Sequence, residues 1–160
     1  MDVFGSIRVR EEVIGAVESR YPVVVLIGIE LLVITFGFLL QFDTLVPGRP
    51  LFWITVILVI APGVYAGWQA GGIATGIAGV WTVLLWVSTF PPLVGYIYRS
   101  DAYRYDHIGL TANPFGSQRR ELLYAIEYGV TIWLAIAVLL GIGCYLLGWG
   151  LREGAAYIVE

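Results

Sequence analysis

Glu30 is the residue that the sequence places best for chemistry. It is the one charge in an apolar run from Pro22 to Gln41, ~13 Å along a helix at ~1.5 Å per residue. An ionisable group at that depth costs roughly 3 kcal/mol to insert and finds a partner in the bundle interior. It can carry a proton, bind a cation, or stay protonated and hydrogen-bonded to a neighbouring helix for packing alone. Packing alone is the first expectation.

The other candidates are thinner. Ser100, Asp101, Asp106, His107 and Ser117 share one polar stretch, residues 99–121. A triad or a metal site could be assembled from them on paper. Catalytic groups need rigid support, and a lone loop gives little. A metal needs three or four protein ligands, and His107 is the only histidine. Cys144 is the only cysteine, so no internal disulfide forms, and haem ligation lacks a set of ligands. No phosphate-binding glycine loop or nucleophile elbow occurs. The chain is therefore expected to be no enzyme, with no metal and no cofactor. Arg119 and Arg120 are candidates for gripping an anionic lipid headgroup. Glu127, beside Tyr124 and Tyr128, reads as an interfacial residue.

Small residues recur at helix-packing spacing. Gly63, Gly67 and Gly71 are four apart, as are Gly72 and Gly76, Ala137 and Gly141, and Cys144 and Gly148. Such spacing lets backbones approach closely where lipid removes the hydrophobic drive. The contacts are either internal or between subunits. Pro62, in Ala61-Pro62-Gly63, removes a backbone hydrogen bond and predicts a kink. Glu30, Pro62, Gly63, Gly67, Gly71 and Gly76 are thus the candidate intramembrane functional or packing residues. Trp81, Trp86 and Trp133 lie inside apolar runs, where lipid-facing bulk is the first expectation and cavity lining the second.

These groups need elements to hold them. The chain has 160 residues, 59% hydrophobic and 13% charged, against about 25% charged in soluble domains. The apolar residues form long blocks. A spanning helix needs about 20 of them for a hydrocarbon core of ~30 Å. Blocks at 22–41, 51–68, 73–96 and 126–149 approach or reach that length. The predicted fold is all-α, an integral membrane four-helix bundle with a short N-terminal juxtamembrane helix over residues 1–20. The whole chain, 1–160, reads as one membrane domain.

Local signals refine this outline. Ser6 is a candidate cap of the first helix, and Pro22 suits the first turn of the first span. Pro47-Gly48 and Pro50 break the chain before the second span. Gln69–Gly72 is a very short turn. Phe90-Pro91-Pro92 is expected to interrupt the third span. Ser117 is a candidate cap for a short helix leading into the fourth. The first span exceeds a signal-peptide core and follows mixed charges, so it is expected to be retained.

The nine basic residues are all arginine, against twelve carboxylates, for a net charge of −3. That balance fits a halophile-like composition and excludes a nucleic-acid partner, which wants clustered positive charge. Arginines divide four against five between the two faces, so the positive-inside rule assigns no orientation.

In length and in the place of its intramembrane carboxylate the chain is loosely similar to small four-span multidrug exporters. The likeness extends to no motif and implies no membership. The functional expectation is a non-enzymatic accessory or structural subunit of the cell membrane, multi-pass, acting through helix packing. Its partners are the lipid bilayer and either other membrane subunits or further copies of itself. The alternative is a homo-oligomeric small transporter or channel using Glu30. A lipid-modifying enzyme acting at the long loop is a remote third.

Overall fold

The computed structural model describes residues 13–40, 50–99 and 117–159. Four helices carry them: α1 (Val17–Leu39), α2 (Pro50–Trp68), α3 (Ile73–Tyr98) and α4 (Gln118–Val159). No strand occurs among the described residues. The fold is an all-α four-helix bundle. Val17–Leu39, Ile73–Tyr98 and Gln118–Ile158 are long and apolar enough to cross a membrane. The fourth expected span is represented by a shorter apolar helix, Trp53–Trp68.

Three boundaries differ from the sequence reading. α1 begins at Val17 rather than Pro22. Its start is fixed from behind: Ala16 is extended, and the Arg20 guanidinium donates to Gly15 O at 3.2 Å from Nε and 2.5 Å from Nη2. Pro22 then falls in the second turn and removes only one N–H. Secondly, α3 runs through Phe90-Pro91-Pro92 without a break. Pro91 and Pro92 are both buried, and packing holds the backbone helical where propensity would end it. Likewise α2 is continuous through Pro62. Thirdly, the helix that starts after Ser117 merges with the fourth span. Ser117 Oγ accepts from the Arg120 N–H at 3.4 Å, and the helix then runs for 42 residues, ~63 Å at ~1.5 Å per residue.

The juxtamembrane helix and Ser6 lie largely outside the described residues, as do Ser100, Asp101, Asp106 and His107. At the described edge of that segment the helix lapses at Gly15 and Ala16.

The turn between α2 and α3 falls at Gln69–Gly72, where the spacing placed it. It closes as a Schellman motif. Gly71 N–H donates to Ala66 O at 2.8 Å, and Ala70 N–H to Gly67 O at 3.3 Å. Ala70 takes the left-handed conformation, with φ 54°.

Side-chain neighbours give the helix directions. Thr35, Phe38 and Ile27 of α1 meet Trp86, Phe90 and Gly79 of α3, so these two run parallel. Along α4, Gly129 meets Leu85 and Gly141 meets Ile77, so α4 runs opposite to α3. It therefore lies parallel to α2, with Gly63 on Cys144 and Gly67 on Tyr145. Val17, the 69–72 turn and the C-terminal end of α4 share one end of the bundle. Leu39, Pro50, Tyr98 and Gln118 share the other. α1 and α4 each pack on α2 and α3.

Candidate functional site: a buried carboxyl in a glycine-packed bundle

The inner seam of α1 is Val23, Ile27, Glu30 and Ile34, the buried or half-buried positions at spacings of four, three and four. Glu30 is 2% exposed. Neither Oε1 nor Oε2 has a hydrogen-bond partner among the described residues. A buried polar group in a native protein normally has one, and each exception calls for a physical explanation.

The layers on either side of Glu30 are aliphatic. Below it, Gly79 is flanked by Ile27 and Pro62: an added Cβ there would lie 3.1 Å from Ile27 Cδ1 and 2.7 Å from Pro62 Cβ. Above it, Ile34 clusters with Val59, Val80, Val83 and Leu84. Neither α2 nor α3 contains an Arg, Lys, His, Asp or Glu. Arg20 is the one basic residue of α1 and is engaged by Gly15, ~15 Å along the axis at ~1.5 Å per residue.

Nearby hydroxyls serve the helices themselves. Thr35 Oγ1 donates to Leu31 O at 2.7 Å and accepts from Trp86 Nε1 at 3.0 Å. Thr82 Oγ1 donates to Ala78 O at 2.7 Å and Ser88 Oγ to Leu85 O at 2.9 Å. A carboxylate anion at Glu30 would be uncompensated, which costs several kcal/mol even after relaxation (~several, against ~20 in the idealised Born limit). The arrangement suits a carboxyl that brings its own positive charge, as a proton or a bound cation.

The glycines of the sequence reading sit in interior contacts. Gly63 of α2, Gly76 of α3 and Gly141 of α4 converge. A Cβ on Gly76 would lie 3.6 Å from both Gly63 Cα and Gly141 O, and one on Gly63 would lie 2.6 Å from Cys144 Cβ. Between α2 and α4 the contact is reciprocal: a side chain at Gly67 would collide with Tyr145 O, and one at Gly148 with Val64 O. Gly71 packs beside Val23 and the Ser19 carbonyl, with 3.5 and 3.3 Å available. Pro62 is fully buried.

The tryptophans correct the lipid-facing expectation. Trp81 and Trp86 pack against the core cluster, and Trp81 Nε1 donates to Gly129 O at 3.0 Å. Trp133 packs on the same cluster and meets Tyr128 edge-on. An indole N–H in an apolar setting takes whatever acceptor a neighbouring helix offers. Arg119, Arg120 and Glu127 are exposed near the start of α4, where Tyr124 stacks on Tyr128. They belong to a different level from Glu30, and the structure does not bring the two groups together.

Two features escaped the sequence reading. Thr35 gave no signal, because a threonine in an apolar run usually bonds its own helix. Gly15 gave a weak one, as a glycine ahead of a helix. Its φ is +74°, and a side chain there would collide with the backbone of Gly71.

No group of three or more His, Cys, Asp or Glu able to hold a metal occurs among the described residues. Compared with family models, with curated proteins and with solved structures, the chain matches none.

Proposed function

We propose that the chain is a small multi-pass protein of the cell membrane whose working group is Glu30, which binds a proton or cation as part of a transporter or channel. One observation carries this reading: a carboxyl 2% exposed, inside a helix of spanning length, with both oxygens unpartnered. The small-residue faces that favoured a docking subunit are mostly used inside the bundle. An ionisable residue in a span is a functional candidate by default. The test is proteoliposome flux followed with a trapped pH dye. Wild type is expected to pass protons down an imposed gradient and Glu30→Gln to pass none. Equal flux in both, or none in wild type, would overturn transport.

The accessory-subunit reading is kept by a separate observation. Gly143, Gly150 and Gly154 face away from the bundle, and nothing lies within 4 Å of an added Cβ at any of them. Leu139 on the same side is 76% exposed. Backbone could approach there, and stoichiometry after purification in mild detergent tests whether it does.

A further inference from the structure

We propose that the carbonyl oxygen of Leu58, released by Pro62, accepts the Glu30 O–H, and that the ligand of this site is a proton rather than a metal cation. This rests on Glu30 being the working group.

In a helix the N–H of residue 62 would donate to the carbonyl of residue 58. Proline has no N–H, and its ring pushes on that same carbonyl. α2 nevertheless stays helical from Pro50 to Trp68, so Leu58 O is left without its intrahelical donor. In lipid such a group calls for another partner.

Position supplies the partner. Pro62 and Ile27 meet the same atom position, the Cβ site of Gly79. From Ile27, Glu30 is three residues further along α1, ~4.5 Å at ~1.5 Å per residue. From Pro62, the Leu58 carbonyl lies in the same direction, because α1 and α2 run antiparallel. Leu58 and Leu31 both pack on the cluster that contains Ile34 and Val59. A carbonyl and a carboxyl are both acceptors, so neither satisfies the other until a proton stands between them. That explains why Glu30 has no donor near it. The protonated carboxyl donates to Leu58 O, and both groups are then paired.

The same inventory selects the ligand. Hard cations take about six oxygens. Among the described residues this pairing brings together the two oxygens of Glu30 and the one of Leu58, while the hydroxyls of Thr35, Thr82 and Ser88 donate to carbonyls of their own helices and the buried Thr55 of α2 is engaged as well. Titratable neighbours are few. α2 has only Tyr65, α3 has Tyr96 and Tyr98 at its far end, and α1 has Glu18, Arg20 and Tyr21 at its start.

The test is infrared spectroscopy of the full chain in lipid vesicles, reading the carboxylic C=O stretch at neutral pH, where exposed carboxyls are ionised. Wild type is expected to show a band at a hydrogen-bonded frequency that Glu30→Gln removes, while any signal of Glu121, also buried, is the same in both. Pro62→Ala and Pro62→Gly each return an N–H to the Leu58 carbonyl and should move the band to the higher frequency of an unbonded acid. Exchanging choline for sodium should leave it in place. A wild-type band already at the unbonded frequency would overturn the Leu58 pairing without any variant, as would an unmoved band in folded Pro62→Ala or Pro62→Gly. Loss of the band on adding sodium would overturn proton selectivity. A wild-type spectrum with no band that Glu30→Gln removes would instead sink the Glu30 reading beneath it.

Discussion

Trp86 Nε1 donates to Thr35 Oγ1 at 3.0 Å, across the parallel contact of α3 with α1. The same tryptophan stacks on Phe90, with ring centroids 5.0 Å apart, and Phe90 meets Phe38 edge-on at 5.6 Å. These contacts set the height of α1 on the bundle and so the height of Glu30. Trp86→Phe keeps a ring for Phe90 and removes the donor. It should lower stability by about 1 kcal/mol, in line with single intramembrane hydrogen bonds. Thr35→Val should cost no more once Trp86 is Phe. Chemical unfolding in detergent would show it, and additive losses in the double variant would count against the pairing.

Gly67→Ala and Gly148→Ala force a methyl into a facing backbone carbonyl, whereas Gly143→Ala and Gly150→Ala meet open space. The inner pair should each lose about 1–3 kcal/mol, the range for overpacking. The outer pair should be neutral or slightly stabilising, since alanine is the better helix former. Thermal melting of the four variants in one detergent decides this, and equal losses would mean that α2 and α4 do not approach so closely.

Gly15 and Gly72 both have positive φ, +74° and +85°, and each would collide with the other's backbone segment if given a side chain. Gly15→Ala or Gly72→Ala should therefore release the segment before α1 from the α2–α3 turn. Limited proteolysis ahead of Val17 should speed up. Ala70→Gly should act oppositely, because a left-handed alanine costs about 1 kcal/mol that glycine avoids. A fall in melting temperature for Ala70→Gly would refute that account.

Glu30→Leu takes the proposed donor from the Leu58 carbonyl and leaves that buried acceptor unpaired, so it should lower stability by about 1–3 kcal/mol and abolish proton uptake. Pro62→Ala returns an N–H to the same carbonyl, so Glu30→Leu should cost less in that background. Chemical unfolding in detergent checks this, and equal losses in the two backgrounds would count against the pairing.

Helix directions place Ala16 and Ile158 at one end of the bundle and Tyr98 at the other. On a Cys144→Ser background, single cysteines at residues 16 and 158 should label from the same side of sealed vesicles. A cysteine at residue 98 should label from the opposite side. Labelling of 16 and 98 from one side would overturn the arrangement.

The sequence by itself determined that the chain is all-helical and where apolar helices lie, because spanning length and charge exclusion are local properties. It placed the 69–72 turn and the Ser117 cap for the same reason, since both depend on a few adjacent residues. It marked Glu30 as costly from depth alone. Only the tertiary structure decided what the costly and awkward residues meet. Pro91 and Pro92 stay helical because neighbours bury them, and α1 reaches back to Val17 because Arg20 grips Gly15. Four-residue glycine spacing reads the same whether the partner is internal or another chain, and the facing carbonyls of Val64 and Tyr145 settle it for Gly148 and Gly67. Whether Glu30 has a partner likewise depends on groups from helices distant in sequence. Their side chains are set by register between helices, a quantity that no local pattern encodes.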